Sequence, residues 1–146
     1  MIHVAEITAP QAYEIRKDVL RDGISLTEKM DGDFDESTIH LGVFVDDTLA
    51  CVATFMQHDI PHFSGFQYRL RGMATHKEYQ HQGLGKTILD RAEQLLAQKK
   101  VDVLWCNARI VALNFYRKSG YQIIGEEFDV HLIGPHFVMF KNLKND

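Results

Sequence analysis

One stretch of the chain carries residue types and spacings with chemical meaning: Arg71-Gly72-Met73-Ala74-Thr75-His76-Lys77-Glu78-Tyr79-Gln80-His81-Gln82-Gly83-Leu84-Gly85-Lys86-Thr87. An apolar strand closes, a polar turn follows, two glycines stand one residue apart, and an amphipathic helix starts at once. The first turn of a helix presents unpaired N–H groups and the positive end of the peptide dipole. Glycines there let a phosphate approach the backbone with no Cβ in the way. The chemistry to expect is the gripping of a diphosphate. On the glycines alone, a tight strand-to-helix turn with no ligand explains them equally well.

Two familiar phosphate loops do not fit. A GxxxxGK[ST] loop ending in Gly85-Lys86-Thr87 needs a glycine where Gln80 stands. A dinucleotide fingerprint beginning at Gly83-Leu84-Gly85 needs one where Ile88 stands. The loop also follows an antiparallel stretch in mid-chain, whereas a dinucleotide unit opens with parallel β-α-β.

The elements that must position this loop follow from apolar periodicity. Residues 2–7 alternate as a strand; Thr8 caps a helix with Pro10 in its first turn, and Ala12, Ile15 and Val19 share its inner face. Residues 23–37 are polar and acidic, with weak helical character at 26–30, and read as a mobile excursion. Strands at 40–45 and 48–57 flank the two-residue turn Asp46-Asp47, and a longer strand covers 66–75. Leu84, Ile88, Ala92, Leu95 and Leu96 give an amphipathic helix over 84–99, followed by a buried strand at 101–106. Ala108, Val111, Ala112 and Phe115 form a second stripe on a helix that stops at Gly120, a left-handed cap. Segments 121–125, 127–133 and 136–143 complete the sheet. The fold class is α+β: a mixed central sheet of about seven strands flanked by about four helices, antiparallel early, with one β-α-β crossover in the second half, in one domain over residues 1–146.

Gln80-x-x-Gly83-x-Gly85 resembles the Q/RxxGxG/A signature of the GNAT superfamily of N-acetyltransferases. Ala112-Leu113-Asn114-Phe115-Tyr116-Arg117-Lys118-Ser119-Gly120-Tyr121 resembles that family's A-x-x-[LF]-Y-x-x-x-G-[FY] segment, on a helix after the next strand. The closing Ile133-Gly134-Pro135-His136 and the run Trp105-Cys106-Asn107-Ala108-Arg109 look like an uncharacterised bacterial branch. The resemblance implies the GNAT acyl-CoA N-acyltransferase fold, acetyl-CoA as co-substrate and a small-molecule amine as acceptor. It implies that the main chain of Met73, Ala74 and Thr75 holds the pantetheine arm, with Gly72 at a β-bulge that splays the fourth and fifth strands. The N–H groups of His81, Gln82, Gly83, Leu84, Gly85 and Lys86 would hold the diphosphate, with the Gln80 side chain closing the turn and Thr87 adding a hydroxyl. Phe115 and Lys118 would face the distal half of the coenzyme, and Tyr116 would be the general acid for the departing thiolate. The bland reading of Tyr116 is an aromatic packing its helix onto the sheet.

A direct attack of amine on thioester needs a neutral amine, a stabilised oxyanion and a proton for the thiolate. Many relatives place a glutamate on the fourth strand as base; that position is Arg69, and no Asp or Glu occurs over residues 66–75. Proton removal then falls to ordered water, backbone carbonyls, or a group from elsewhere, with His136 and Glu126 as candidates. Apart from any bulge, Arg69 and Arg71 share a strand face with Met73, and Arg109 at the start of the next helix can join them. They either receive an anionic substrate, such as an amino acid carboxylate, or are solvent-exposed and paired with the abundant acids.

The balance of 16 Lys+Arg against 20 Asp+Glu leaves −4, without the basic footprint of a nucleic-acid or anionic-membrane binder. No apolar run reaches the ~20 residues of a membrane span. Two lone cysteines suit a reducing cytoplasm, and Cys106 reads as a buried small hydrophobe. His58 and His62 stand four apart, but Pro61 prevents the helix that would align them, so no metal is expected. The acidic run 31–36 reads as a solvated loop or a lid over the acceptor site. The alternatives are a non-catalytic acyl-CoA-binding or regulatory domain and a protein N-terminal acetyltransferase, acting as monomer or homodimer.

Overall fold

Strand β1, Ile2–Glu6, gives way to Thr8, whose hydroxyl accepts the Gln11 N–H while the Gln11 side chain accepts the Thr8 N–H. This reciprocal box starts helix α1, Ala9–Ile15, and Pro10 sits in its first turn where no N–H is missed. A wider π-helical turn, Arg16–Leu20, continues it. The computed structural model describes residues 1–21 and 27–143. Then come β2 (Ile39–Val45), β3 (Thr48–Gln57), β4 (Gln67–Thr75), α2 (Leu84–Gln98), β5 (Val103–Arg109), α3 (Leu113–Lys118), β6 (Gln122–Val130) and β7 (Gly134–Asn142). Asp46, left-handed at φ 54°, makes the β2–β3 turn.

The strands form one mixed sheet in the order β1-β2-β3-β4-β5-β7-β6. Every neighbouring pair is antiparallel except β4 and β5, whose parallel pairing requires the α2 crossover. Leu84, Ile88, Leu89, Ala92 and Leu96 of α2 pack on one sheet face with Leu41, Phe55, Leu70, Leu104 and Met139. On the other face Ala12 and Ile15 of α1 cover Ile7, Val52 and Ala74, with Val19 against them.

The central pair separates early. Residues 67–70 of β4 pair with 103–106 of β5, and beyond Leu70 and Cys106 the ladder stops. β4 stays with β3 and β5 stays with β7. The cause is a bulge: β3 advances from Val52 to Thr54 while β4 spans Ala74 back to Arg71, and Gly72 takes φ 67° there. The extra residue bends its strand and raises the local twist, turning β4 away from β5.

Several expectations need correction. Ala108 and Arg109 belong to β5, because they pair with Phe137 and His136 of β7, so Arg109 ends a strand and does not begin a helix. A short 3-10 turn, Ile110–Ala112, then leads into α3, and Val111 is 90% exposed instead of lying in an inner stripe. Segments 121–125 and 127–133 merge into the single strand β6, whose register shifts between Ile124 and Phe128 with Gly125 at φ 82°. Part of the 26–30 helix lies outside the described residues, and the described part, 27–30, is not helical; three α-helices are seen among the described residues. The acidic run 31–36 is not wholly solvated, since Asp33 is 5% exposed and gripped by Arg16. Among the described residues no helix is long and apolar enough to cross a membrane.

Candidate active site at the split between the central strands

The loop after β4 is tied down by Gln80, whose amide donates to the Thr75 carbonyl at 3.0 Å. His81 and Gly83 are both left-handed, φ 65° and 79°, on either side of Gln82. Such alternation turns successive N–H groups toward one side, a concavity suited to anions, and it runs into the free N–H groups that open α2. The two glycines serve different ends. A Cβ at Gly83 would meet nothing within 4 Å, so its φ is the reason for glycine. A Cβ at Gly85 would lie 3.3 Å from Phe115 Cζ and 3.6 Å from Met73 Sδ, so its missing side chain keeps the space open. A cavity of about 290 Å³ lies here, walled by Met73, Thr75, Tyr79, His81, Gly83, Leu84, Gly85, Lys86 and Phe115.

A second cavity, of about 220 Å³, occupies the split itself, and Met73 borders both. Its walls are β4 from Arg69 to Met73, β5 from Cys106 to Arg109, Tyr116 of α3, Arg21, Met30, and Val130, Ile133 and His136 at the β6–β7 end. Because the ladder is open, side chains of both sheet faces reach one space. Leu70, Cys106 and Tyr116 belong to the core under α2, whereas Arg69 and Arg71 alternate with Leu70 onto the α1 side. The bulge at Gly72 reverses the alternation, so Met73 packs against the α2 core and does not share the arginines' face as expected.

Tyr116 is buried, and its hydroxyl shares a hydrogen bond with the Cys106 thiol. Burial, with Cys106 beside it, holds the phenol protonated well above its ordinary range. Burial likewise pushes the Cys106 thiol up to about 12, against the pull of Tyr116 and Arg69. Cys106 is therefore no nucleophile near neutral pH.

The arginines are half-buried, and among the described residues none of them is paired with an acid. Arg69 lies 5.2 Å over the Trp105 ring, and Trp105 is anchored by its indole N–H to the His58 carbonyl at 2.9 Å. The Nε atoms of Arg69 and Arg71 are buried without a hydrogen-bond partner among the described residues. Burial, then repulsion from Arg71, brings Arg69 down to about 10; Arg71 and Arg21 shift the same way, through burial first and neighbouring arginines second. Among the described residues lining this cavity there is no Asp or Glu. His136 is 5% exposed, and its Nδ1 lies 2.8 Å from the Gly134 carbonyl. A carbonyl only accepts, so Nδ1 carries the hydrogen and Nε2 keeps a lone pair in the neutral ring.

The structure thus brings together Met73, Thr75, His81, Gly83, Leu84, Gly85, Lys86 and Phe115 around one cavity, and Arg69, Arg71, Arg109 and Tyr116 around the next. Ala74 turns its side chain into the α1 core, leaving only its main chain toward the loop side. Gln82 and Lys118 are exposed and line neither cavity; Lys118 ends α3, past the turn that carries Phe115. The Thr87 hydroxyl donates to the Gly83 carbonyl at 3.0 Å, because the first turn of α2 leaves that acceptor within reach. Glu126 is exposed and away from the cavity.

The family model for the acetyltransferase (GNAT) domain matches residues 6–142. The chain belongs to the GNAT acetyltransferase family. N-acetyltransferase YitI of Bacillus subtilis (strain 168), itself uncharacterized, is 41% identical over 146 residues, covering 99% of this chain and 98% of its own. The crystal structure of Escherichia coli ElaA superposes with a TM-score of 0.79 at 14% identity, covering 97% of this chain and 99% of its own. An aminoglycoside 6'-N-acetyltransferase complexed with coenzyme A gives 0.77 at 12% identity, covering 99% and 98%. Membership makes this GNAT chain an acetyl-CoA-dependent acyltransferase. Its loop suits the coenzyme on its own evidence: left-handed backbone at His81 and Gly83, and space at position 85 that a Cβ would fill.

Four residues of this GNAT domain escaped the sequence reading. Arg16, fully buried, donates to both Asp33 oxygens at 2.9 and 3.1 Å and to Thr54. His40 bridges Thr54 at 2.7 Å and the Asp33 carbonyl at 2.8 Å. The network lies under the bulge, where a Cβ at Gly72 would come 2.9 Å from Arg16 Nε. One signal was available: Arg16 follows Ala12 by four positions, on the stripe that also holds Ile15 and Val19.

Proposed function

We propose that residues 1–146 form one N-acetyltransferase domain that moves the acetyl group of acetyl-CoA to the amine of a small molecule by direct attack on the thioester. When bound, acetyl-CoA supplies an acetyl group on a thiol leaving group. The residues that would hold it are the N–H groups from His81 to Lys86, with Gln80 fixing the turn, Phe115 as a wall, and the β4 main chain at Met73–Thr75 as an edge for the extended arm. The observation that carries this reading is that the loop cavity and the cavity in the split share Met73, with Tyr116 on the far one. A group reaching past Met73 from the loop arrives beside a protonated phenol.

Tyr116 is the acid. Its raised pKa keeps the O–H in place, and a thiolate with an ordinary pKa near 8.5 requires a hydrogen bond more than a strong acid. His136 is the base: its Nδ1–H is held by Gly134, leaving Nε2 to accept a proton from the amine. The surrounding guanidinium charges assist, since nearby like charge disfavours an ammonium and releases free amine. A volume of about 220 Å³ is below the ~300–1,000 Å³ of drug-sized sites, which favours a small acceptor over a protein N-terminus. Two buried free cysteines fit a cytoplasmic setting.

The lack of a carboxylate among the described lining residues favours a second reading, a domain that binds acyl-CoA without turnover. Thiol release from acetyl-CoA on adding a panel of amines separates the two. Amine-dependent thiol that falls in Tyr116→Phe supports the enzyme; coenzyme binding with no thiol from any amine supports the binder.

A further inference from the structure

Arg21, Arg69, Arg71 and Arg109 line the cavity in the split, and no acidic side chain among the described residues lines it with them. They come from three places in the chain: the end of the π-helical turn, β4 and the end of β5. None of the four has an ion pair within 4 Å among the described residues. Asp33 and Asp31 act on Arg71 only from a distance, and Asp33 is already held by Arg16. Arg69 and Arg71 each keep a buried Nε–H that no acceptor among the described residues satisfies. Half-buried charges of one sign, gathered without a counter-charge, are costly unless something bound supplies it.

We propose that the acceptor of this enzyme is a small amine that also carries an anionic carboxylate or phosphate group, received by these four arginines. The inference rests on the reading of this cavity as the acceptor site. The guanidinium fork matches both anions, and a cavity of about 220 Å³ suits an acceptor about the size of an amino acid or its phosphorylated form. Trp105 keeps Arg69 extended by stacking, so that guanidinium is positioned before the ligand arrives. The same charges repel polyamines and other polycationic acceptors, a discrimination by unfavourable charge. The anionic group and the amine then have separate places: the first against the arginines of the α1 side, the second toward Tyr116, with His136 beside Arg109 on the ladder between them.

The test uses amine pairs matched in size, an anion-bearing member against a neutral partner with no carboxylate or phosphate: alanine with alaninamide, and O-phosphoethanolamine with ethanolamine, with putrescine and spermidine as cationic controls. Binding is read as the rise in melting temperature with and without coenzyme A; turnover is read as thiol release from acetyl-CoA. The expected result is stabilisation by the anionic members, weakening with added salt, and a kcat/KM at least tenfold above the neutral partner. Arg71→Gln should raise KM for the anionic amine about 10- to 100-fold, and change KM for its neutral partner far less. Whichever anionic arm dominates identifies carboxylate or phosphate. Neutral or cationic amines binding or reacting as well as anionic ones, or anionic amines stabilising wild type and Arg71→Gln alike, overturns the proposal while leaving acetyl transfer intact. Arg71-dependent stabilisation by an anionic amine without thiol release from any amine supports the anion site and overturns the transfer reading instead.

Discussion

A methyl group on Gly72 would sit 2.9 Å from Nε of Arg16. The bulge that opens the sheet and the buried cation under it therefore fit each other as a pair. Arg16 cannot retreat, because Asp33 holds both ends of its guanidinium fork and Thr54 takes one more hydrogen. Gly72→Ala meets this contact and a φ of 67° together. It should cost about 1–3 kcal/mol from the left-handed backbone alone. The corresponding fall in melting temperature, about 3–12 °C, is read by thermal unfolding. A stability equal to wild type would remove the argument.

The Arg16–Asp33 pair makes an acid-side prediction. Burial alone would raise the Asp33 carboxyl, but hydrogen bonds from Arg16 and from the Met30 N–H hold it below its ordinary value. A carboxyl whose folded pKa is depressed stabilises the fold above its unfolded pKa, about 3.9, and loses that contribution as pH falls through the folded value. Asp33→Asn should cost about 3–5 kcal/mol near neutrality, by leaving Arg16 buried without a counter-charge. The difference from wild type should shrink steadily below about pH 4, as urea titrations across pH would show.

Tyr116→Phe should lower kcat by about 10²-fold, the lower end for a general acid, because a thiolate leaves without much help. Coenzyme affinity by calorimetry should stay near wild type. The raised pKa also fixes the alkaline side of the rate profile: the phenol stays protonated through pH 10, so no falling limb from Tyr116 appears below that. A limb near pH 9–10 that disappears in the phenylalanine variant would contradict this.

His136→Gln should slow turnover most at neutral pH. Raising the pH supplies free amine without a base, so the deficit should narrow toward pH 9–10. A deficit that stays constant across pH would place His136 in packing rather than proton transfer.

Gly85→Leu should close the space between Phe115 and Met73, since even the first added carbon lies 3.3 Å from Phe115 Cζ. Coenzyme A should bind at least tenfold more weakly, with the melting temperature of the free protein changed little. Gln80→Ala removes one hydrogen bond to Thr75 and should weaken binding by about 2- to 10-fold. Unchanged affinity in both would put the coenzyme elsewhere.

Local signals were enough for much of this protein. The Thr8 capping box, the Asp46 turn, the apolar face of α2 and the left-handed stop at Gly120 each depend on residues within a few positions of one another. So does Gln80-x-x-Gly83-x-Gly85, and so does the want of a carboxylate on β4. What the chain alone left open was decided by partners distant in sequence. Arg109 reads as helical by its neighbours, yet the ladder to His136 on β7 draws it into β5 and onto the cavity wall. Arg16 lies inside because Asp33 and Thr54, both braced by His40, converge on it from elements that no local pattern connects. Arg21 joins Arg69, Arg71 and Arg109 only where β4 and β5 part. Hydrogen-bond ladders and buried charges are settled by which strands meet. Side-chain periodicity places a residue on a face, and the opening of the ladder after Leu70 and Cys106 allowed two faces to share one site.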